Sequence, residues 1–580
     1  MDTVKLKING MEVEAPAGST IIQAANLAGV KIPSLCYLKD LNEIGACRIC
    51  MVEVKGAKGL VASCVYPVNE GMEVFTNTEK VRKARKMTLE LILSNHRMEC
   101  LTCHRSGTCE LQTLAQEFGV DQVRFRTPDM KPQIEDSAIH LVRDNSKCVL
   151  CRRCVAACQN QGVGVIGANE RGFRTNISCA FEAPLGETSC VSCGQCIVAC
   201  PTGALAEKDQ TQDVLKLLSD PSKTVIVQTA PATRVTIGEA FGMPIGTNAE
   251  GKMVAALRRL GFAKVFDTNF AADLTIMEEA TELVDRIQNG GALPLITSCS
   301  PGWVKYCEHY FPEFIPNLSS CKSPQQMFGA VAKTWYAKQL GIDPKDMAVI
   351  SIMPCTAKKF EVGREDQSAA GVPDVDIALT TRELARMIQT AGLDFVNLPD
   401  EDYDAPLGID TGAGLIFGAT GGVMEAALRT AADWLTGGNA SGEALDFKEV
   451  RGTEGVKEAT YTVGGLTLKV AVCSGLANAK KVLRAVKEGK ADYQFIEVMA
   501  CPGGCVNGGG QPFQPASVRN FTDLRALRAQ GLYRTDAKME LRKSHENPGI
   551  KKLYDEFLEK PGSHIAHEVL HTTYVKRPKY

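Results

Sequence analysis

One stretch of the sequence decides how the rest is interpreted: Ile496-Glu-Val-Met-Ala-Cys501-Pro-Gly-Gly-Cys505-Val-Asn-Gly-Gly-Gly-Gln-Pro512. The apolar run that leads into it, Tyr493 to Ala500, predicts a buried strand that ends at Cys501. Glycines lie between and after the two cysteines, and glycine lets the backbone approach a bulky group closely. Two soft thiolates on such an open loop suit iron or copper better than a disulfide.

Two further predicted strands end in cysteine loops of the same kind. One is Met347-Ala-Val-Ile-Ser-Ile-Met-Pro-Cys355-Thr-Ala-Lys-Lys359, and the other is Ala292-Leu-Pro-Leu-Ile-Thr-Ser-Cys299-Ser-Pro-Gly-Trp303. Any one of these cysteines alone would be interpreted as a small buried hydrophobic side chain. In open α/β sheets, ligands bind beyond the carboxyl ends of the strands. Three strand-end cysteine loops therefore predict one shared buried site.

The length and charge of the chain exclude several classes of protein. Its 580 residues predict several domains, and its net charge of −2 gives no basic surface for nucleic acid or for a membrane. There is no run of about 18 apolar residues and no apolar secretory segment at the N-terminus, so we expect a cytoplasmic protein. The 23 cysteines cluster at short spacings, which in that compartment indicates metal ligands rather than disulfides.

Residues 1–80 predict a small domain that holds one metal cluster. Asn9-Gly10 is a strong hairpin signal, and the segment from Thr20 to Gly29 predicts a short helix that ends at glycine. Four cysteines follow in a spacing like that of plant-type [2Fe–2S] proteins, although the first gap is longer. They are Cys36, Cys47, Cys50 and Cys64. A zinc site is the rival interpretation, but the hairpin and helix favour a β-grasp ferredoxin domain.

Residues 81–125 open with a helical stretch, Lys80 to Ser94, and then supply a second ligand set. It consists of His96, Cys100, Cys103 and Cys109. Three cysteines and one histidine at this spacing suit a single tetrahedral metal, and spacing alone favours zinc. Spacing also leaves His104 open as the histidine ligand.

Residues 126–209 contain an internal repeat, which is the strongest motif in the chain. In each copy the cysteines follow the C-x2-C-x2-C-x3-C run of bacterial ferredoxins, in which the fourth cysteine serves the other cluster. The predicted ligand sets are Cys148, Cys151, Cys154 and Cys200, and Cys190, Cys193, Cys196 and Cys158. Two zinc sites are the disfavoured alternative. Cys179 lies outside both runs, so we expect it to be buried.

Residues 210–580 alternate predicted strands with predicted helices, which indicates an α/β domain with mainly parallel sheets. Thr380-Thr-Arg-Glu383 is a capping box that begins one of these helices. The glycine-rich segment from Gly412 to Gly422 does not fit G-x-G-x-x-G, so it predicts no nucleotide site. The three histidines near the end of the chain are interpreted as packing residues. They are His564, His567 and His571.

Three segments resemble the signatures of the [FeFe]-hydrogenases, and the resemblance extends over essentially the whole chain. The segments are Thr297–Trp303, Met353–Lys359 and Glu497–Cys505. The resemblance implies an α+β multidomain protein. Its parts would be a β-grasp ferredoxin domain, a His/Cys3 cluster domain, a bacterial-type two-cluster ferredoxin domain and a large two-lobed α/β catalytic domain. It also implies that residues 81–125 hold a [4Fe–4S] cluster with His96 as a ligand.

The resemblance further implies an H-cluster, which is a [4Fe–4S] cube joined through a thiolate to a two-iron unit with CO, CN⁻ and a bridging dithiolate. Cys355 and Cys501 match cube ligands, Cys505 matches the bridging thiolate, and Lys358 matches a donor to a cyanide. Other positions match the lining of the pocket, namely Ala230, Pro231, Gln325, Met353, Phe417 and Met499. A further set matches the proton path, namely Cys299, Glu279, Ser319 and Glu282, with Arg286 at its outer end. Without the resemblance, Glu278, Glu279 and Glu282 would be interpreted as a solvated helix face.

The function implied is reversible dihydrogen oxidation and proton reduction. One [2Fe–2S] and three accessory [4Fe–4S] clusters would carry the electrons. The expected partners are ferredoxin or a flavin- and NAD(P)-binding subunit, and maturation proteins that supply the two-iron unit. One alternative is a non-catalytic superfamily member, either a hydrogen sensor or an iron–sulfur assembly protein. Another is an electron-transfer subunit, because residues 1–209 resemble the iron–sulfur arm of NADH dehydrogenase.

The chain departs from the family at one position, where Ser300 follows Cys299 in place of a second cysteine. Serine is a harder ligand than the thiolate that a cube prefers. Ser300 could ligate through oxygen or leave one iron open, Cys299 could take over the ligation, or Cys321 could reach the site. Adjacent residues on an extended loop point in opposite directions. We therefore expect position 300 to face the cube and Cys299 to keep its proton role.

Overall fold

The computed structural model of the chain describes residues 2–125, 133–436, 445–453, 455–463 and 466–579. The chain forms two compact units. The first consists of Met1–Thr188, Gln195–Ala206 and Phe513–Thr522, and the second of Ser189–Gly194, Glu207–Pro512 and Asp523–Tyr580. Within the described ranges, no helix combines the length and the apolar composition needed to cross a membrane.

The first unit begins with a five-stranded sheet in the order β2-β1-β5-β3-β4. Asn9 and Gly10 have φ of 51° and 84°, so they form the predicted tight turn between β1 and β2. Helix α1 lies within the segment from Thr20 to Gly29 where the sequence predicted it, and the Gln23 side chain accepts from Thr20 N at 2.9 Å at its start. The elements are β1 (Thr3–Ile8), β2 (Met11–Pro16), α1 (Ile21–Leu27), β3 (Met51–Val54), β4 (Val61–Ala62) and β5 (Glu73–Phe75).

The remainder of the first unit consists of short helices and strands that carry the cysteine loops. The first of these helices begins at Glu79, next to the stretch from Lys80 to Ser94 that the sequence predicted to be helical. The Thr78 hydroxyl caps this helix by accepting from Val81 N at 3.3 Å. The elements are α2 (Glu79–Ser94), α3 (Glu110–Glu117), β6 (Ile134–Glu135), β7 (Leu141–Asp144), α4 (Arg153–Asn160), β8 (Gly167–Asn169), β9 (Asn176–Ser178), α5 (Gln195–Ala199) and β10 (Leu205–Glu207).

The second unit contains two four-stranded sheets. In the first, the order is β12-β11-β14-β15 and every pair is parallel, as the sequence predicted. Its strands are β11 (Thr224–Thr229), β12 (Lys264–Asp267), β14 (Met347–Met353) and β15 (Ile377–Thr380). All seven residues of β14 are buried, which is typical of a parallel strand covered on both faces.

The second sheet has the order β13-β18-β17-β16, with β16 antiparallel at one edge. Its strands are β13 (Leu295–Ile296), β16 (Val456–Val463), β17 (Leu466–Ser474) and β18 (Phe495–Met499). Strands β13 and β17 both run parallel to β18. Strand β13 is shorter than the apolar run predicts, because Pro294 has no N–H to donate to the sheet.

The helices of the second unit cover these sheets, and the longest is α9. The helices are α6 (Thr211–Leu218), α7 (Pro231–Arg234), α8 (Glu250–Arg259), α9 (Thr268–Asn289), α10 (Pro301–Tyr310), α11 (Pro324–Val331), α12 (Ala337–Leu340), α13 (Ala357–Val362), α14 (Thr381–Thr390), α15 (Gly412–Ile416), α16 (Gly422–Thr436), α17 (Leu476–Lys487), α18 (Ala516–Arg519, in the first unit), α19 (Leu524–Asp536), α20 (Pro548–Leu553) and α21 (His564–Leu570). Helix α20 continues into a π-helical turn, Tyr554–Leu558.

Candidate active site

The three cysteine loops converge on one cavity in the second unit. The loops after β13, β14 and β18 all contribute to its wall, as expected for the carboxyl ends of parallel strands. All six residues that the sequence predicted to line the pocket border it, as does Lys358. Most of the remaining wall is apolar, with side chains from Thr268 and Ala272 of α9 and from Pro324 of α11.

The three loops bring four cysteines and one serine to this cavity: Cys299, Cys355, Cys501, Cys505 and Ser300. The Ser300 hydroxyl accepts a hydrogen bond from Ala500 N at 3.3 Å, which holds it beside the loop that carries Cys501. Cys321 lies elsewhere. It is fully buried, and its Sγ is 4.0 Å from Glu282 Oε2, so it belongs to the surroundings of the glutamates on α9.

The Cys299 thiol is held in its neutral form. Burial raises the pKa of Cys299 well above its ordinary value, and the neighbouring carboxylate of Glu279 raises it further. The backbone carbonyl of the same residue accepts from Lys358 Nζ at 3.4 Å. A buried neutral thiol beside a glutamate can donate a proton toward the cavity and recover it from the other side.

Lys358 is a buried cation whose position is fixed by a carboxylate. Its Nζ donates to Glu361 Oε2 at 2.8 Å and to Ser323 Oγ at 2.7 Å. The same Glu361 oxygen accepts from Gln325 Nε2 at 3.0 Å. Sequence reasoning missed Glu361, although an acid three residues after a lysine on a predicted helix is a recognisable pairing signal.

The glycines after Cys501 are required by close backbone contacts. A Cβ on Gly504, whose φ is +93°, would lie 2.6 Å from Thr420 N. A Cβ on Gly508 would lie 2.1 Å from the Pro354 carbonyl oxygen, in the loop that carries Cys355. A side chain at Gly508 would therefore push the two cysteine loops apart, and one at Gly504 would push its loop away from Thr420.

Glu497, on strand β18, organises the glycine-rich segment before α16. Its carboxylate accepts from Gly421 N at 2.6 Å and from Met424 N at 2.8 Å, at the N-terminus of that helix. A Cβ on Gly414 would lie 2.6 Å from the Asn269 carbonyl oxygen of α9. These glycines therefore allow helices to pack closely around the cavity.

The glutamates of α9 are not a solvated helix face. Glu278 and Glu279 are each 1% exposed, and Glu282 is half-buried. Burial, aided by the Glu282 charge, raises the pKa of Glu279 to about 8. Neither carboxyl oxygen of Glu279 has a hydrogen-bond partner of good geometry among the described residues. A buried carboxyl without such partners is most stable when it carries a proton.

Glu282 connects the buried end of this row to the surface. Its Oε2 accepts from Ser319 Oγ at 2.9 Å, and its Oε1 accepts from Arg286 Nη2 at 2.6 Å. The Ser319 hydroxyl is also a polar neighbour of Glu279. Glu279, Glu282 and Arg286 therefore follow one another along α9, and Ser319 lies beside the two glutamates.

Cys193 also borders the cavity, which sequence reasoning did not predict. The Thr356 hydroxyl, next to Cys355, donates to the Ser192 carbonyl at 2.7 Å. A Cβ on Gly509 would lie 2.3 Å from the Cys193 carbonyl oxygen. No local pattern links a ferredoxin-type motif to loops some 160 residues later.

Comparison with known proteins agrees with this geometry. The chain is 49% identical to the NADP-reducing hydrogenase subunit HndD of Solidesulfovibrio fructosivorans, over 100% of both chains. It is 43% identical to iron hydrogenase 1 of Clostridium pasteurianum, over 98% of this chain and 99% of that one. Residues 223–509 match the family model "Iron only hydrogenase large subunit, C-terminal domain".

The chain belongs to the [FeFe]-hydrogenase family. It is an oxidoreductase that interconverts dihydrogen with protons and electrons, with an iron–sulfur electron chain in its N-terminal part. A solved [FeFe]-hydrogenase from Chlamydomonas reinhardtii has 42% identity and a TM-score of 0.56, covering 64% of this chain and 100% of that one. An iron–sulfur assembly component from mouse has 30% identity over 61% of this chain.

The N-terminal part of the hydrogenase matches three iron–sulfur families, and residues 522–577 match "Iron hydrogenase small subunit". Residues 1–79 match a [2Fe–2S] cluster-binding domain. Residues 85–124 match the iron–sulfur binding region of NADH-ubiquinone oxidoreductase G, and residues 147–204 match a [4Fe–4S] dicluster domain. The hydrogenase is therefore a multidomain protein with [2Fe–2S] and [4Fe–4S] clusters and an H-cluster domain.

The four cysteines of the first domain of the hydrogenase come together. Cys50 Sγ and Cys64 Sγ are 3.3 Å apart, and Cys36 lies within hydrogen-bond reach of both Cys47 and Cys64. Backbone groups also point at these sulfurs, since Leu35 N donates to Cys47 Sγ at 3.3 Å. Such N–H donors stabilise the charge of cluster thiolates.

The histidine of the second ligand set is distinguished by burial. The ring of His96 is largely buried, and its Nδ1 has no hydrogen-bond partner among the described residues. Burial lowers the pKa of His96 to about 4, which keeps the ring neutral as a metal ligand requires. His104, by contrast, is exposed.

The first ligand set of the dicluster repeat is also assembled. Cys148, Cys151 and Cys154 are electrostatic neighbours of Cys200, although Cys200 is the last cysteine of the other run. This is the exchange that bacterial ferredoxins make. Cys179 is 1% exposed, as expected for a packing residue.

Proposed function

We propose that this hydrogenase catalyses reversible dihydrogen oxidation and proton reduction in four domains. These are residues 1–80 (β-grasp, [2Fe–2S]), 81–125 (His/Cys3, [4Fe–4S]), 126–209 (two [4Fe–4S]) and 210–580 (H-cluster). The carrying observation is that cysteine loops from three strand ends and a buried cation border one cavity, and that Cys299 on its wall is an electrostatic neighbour of Glu279.

The residues around the cavity fit an H-cluster. Cys355 and Cys501 would ligate the cube, Cys505 would bridge to the two-iron unit, and Ser300 would face the remaining cube iron. Lys358 would donate to a cyanide, because its compact ammonium borders the cavity and is held by Glu361. When bound, the H-cluster supplies the metal at which dihydrogen is split and from which electrons leave.

The protein's own part in the chemistry is to move protons. The neutral Cys299 thiol donates its proton toward the cavity and regains a proton from Glu279. The raised pKa of Glu279 lets its carboxyl hold a proton near neutral pH. Ser319 and Glu282 continue the route outward, and Arg286 fixes the Glu282 carboxylate. Each of these groups except Arg286 can both accept and release a proton.

The accessory clusters form the electron route. Cys36, Cys47, Cys50 and Cys64 hold the [2Fe–2S] cluster, and His96, Cys100, Cys103 and Cys109 hold the next cluster. The two ligand sets of the repeat hold the last two. The orphaned Nδ1 of His96 and the proximity of Cys200 to the first run support these assignments.

The electron donor is ferredoxin or a flavin- and NAD(P)-binding partner subunit. The full-length similarity to a subunit of an NADP-reducing hydrogenase supports the second possibility. Maturation proteins supply the two-iron unit, because its CO and CN⁻ ligands are not made by any side chain of this chain.

Iron content and hydrogen turnover test the assignment together. Matured protein is expected to contain about twenty irons per chain and to evolve and take up dihydrogen. The measurements are chemical iron analysis and gas chromatography with a dye as electron donor or acceptor. An iron content of about eight, or stoichiometric zinc, would contradict the cluster assignment. Full iron without turnover would instead indicate a sensor or an electron-transfer protein.

Ser300→Cys tests the departure from the family. Its thiolate would offer the cube a softer ligand than the hydroxyl that now accepts from Ala500 N, so the cube's potential and electron paramagnetic resonance spectrum are expected to shift. Turnover through Cys299 should persist. Ser298→Cys is the matched control, because the Ser298 hydroxyl is directed at the Cys321 carbonyl at 2.8 Å. An unchanged spectrum in Ser300→Cys would mean that position 300 does not face the cube.

A further inference from the structure

The residue at the outer end of the glutamate path, Arg286, cannot pass protons to solvent. Arg286 donates through Nη1 and Nη2 to Glu282 and to the carbonyls of Ala292, Pro316 and Leu318. A guanidinium does not lose its proton in proteins. Arg286 therefore holds the Glu282 carboxylate in place but cannot carry protons from it to solvent.

A second hydrogen-bonded chain leaves Glu282 on its other side. Ser320 Oγ donates to Glu282 Oε1 at 3.2 Å and lies 2.8 Å from His571 Nδ1. The other ring nitrogen, Nε2, lies 3.2 Å from Glu278 Oε2. Histidine is the side chain that ordinarily gains and loses protons between pH 5 and 8.

We propose that His571, reached through Ser320, is the group that exchanges the protons of Glu282 with solvent. This inference rests on the proposed function. In the outward step, the carboxylic acid O–H of Glu282 breaks and its proton bonds to Ser320 Oγ. The hydroxyl proton of Ser320 moves to His571 Nδ1. The products are a Glu282 carboxylate and an imidazolium, which loses a proton to water.

The other neighbours of the His571 ring are a buried glutamate and a second imidazole ring. Glu278, which faces Nε2, is a buried carboxylate that also accepts from Tyr554 Oη at 2.5 Å and Gly562 N at 3.0 Å. The ring of His567 lies 4.1 Å from that of His571 and is exposed. Burial lowers the pKa of His567, and a positive charge on His571 lowers it further.

The backbone fixes the distance between the hydroxyl and the ring. Thr572 N donates to the Ser320 carbonyl at 2.8 Å, and Lys322 N donates to the Leu570 carbonyl at 2.8 Å. His571 thus lies between two backbone hydrogen bonds to residues 320–322, and Ser320 of this segment donates to Glu282. The residue is half-buried and its side chain is 8% exposed, so the ring contacts the relay and only a small part of it can reach water.

The sequence interpretation of the three histidines as packing residues has to be refined at one of them. His564 and His567 are exposed, and the described contacts join neither of them to Ser320 or Glu282. His571 alone among the three contacts a hydroxyl that donates to the path. The difference could not be seen in the sequence, because about 250 residues separate Ser320 from His571.

The test compares His571→Gln with His567→Gln in the full-length matured hydrogenase. His571→Gln is expected to reduce turnover about tenfold, because a neutral amide cannot relay a proton. His567→Gln, a matched loss of one histidine from the same segment, should leave turnover unchanged. Free imidazole in the assay buffer should restore part of the activity of His571→Gln and should not accelerate the unmodified protein. Iron content and thermal unfolding show whether the variant is folded and loaded.

A double substitution separates a relay from a structural role. Ser320→Ala is expected to lower turnover as His571→Gln does, and the double variant should be no slower than either, because both break one chain. Ser320→Thr should restore turnover. Additive losses, absence of imidazole rescue, or full activity of a folded His571→Gln would overturn the proposal. In those outcomes the proposed function stands as long as the unmodified protein turns over hydrogen.

Discussion

Cys299→Ala is expected to abolish hydrogen turnover while the cube remains assembled. The thiol borders the cavity, and burial together with the Glu279 charge keeps it protonated. Alanine has no proton to give, and the loss of a positioned acid costs about 10²–10⁴-fold in rate. Turnover, iron content and the electron paramagnetic resonance spectrum of the cube should be measured on the same preparation.

Cys307→Ser is the matched control for this experiment. Cys307 lies on helix α10, eight residues after Cys299, and its Sγ donates to the Phe311 carbonyl at 3.3 Å. A serine hydroxyl can make the same hydrogen bond, so turnover should persist. If Cys299→Ala instead loses cube iron, then Cys299 is the ligand that compensates for Ser300, and its assignment to the proton path is wrong.

Glu282→Gln is expected to suppress turnover by about 10²–10⁴-fold with the clusters intact. The glutamine can still accept from Arg286 or Ser319, so the loop around it should remain ordered. A neutral amide does not exchange protons as a carboxyl does. Proton delivery should therefore become rate-limiting, and a large solvent deuterium isotope effect on turnover would report it.

Asp285→Asn provides the comparison for the glutamate substitution. Asp285 is exposed on the same helix, and its carboxylate accepts only from Asn289 in the described contacts. The Asp285→Asn substitution removes one negative charge, as Glu282→Gln does, but at a residue outside the proton path. Turnover should therefore be unchanged. Full activity of a correctly loaded Glu282→Gln variant would mean that the α9 glutamates serve structure alone.

Local signals predicted the elements of this fold well. The turn at Asn9-Gly10 and the capping box at Thr380 depend on contacts within four residues, so the sequence specifies them directly. The parallel sheet could be predicted because strands alternate with helices after residue 210. The length of β13 was overestimated, since an apolar run does not reveal where pairing stops.

The site could be predicted only where a residue type carries the chemistry. Cysteine spacing and resemblance to the family located the thiols that border the cavity. The sequence did not reveal the burial of charged residues. Glu278 and Glu279 have the pattern of a solvated helix face, yet each is 1% exposed. The contacts of Cys193 and His571 join segments far apart in the chain, and no periodicity reports such contacts.

The long separation between Ser320 and His571 has a consequence for the order of folding. Tyr574 Oη donates to the carbonyls of Ser319 and Cys321, so residues 571–574 supply partners to a loop made some 250 residues earlier. Closing so long a loop is slow, because its entropy is lost before the contacts form. While the ribosome is still translating the intervening residues, the nascent chain has neither Tyr574 nor His571 to place on that loop. A cluster inserted during that interval would meet an unfinished proton route, which favours loading after synthesis.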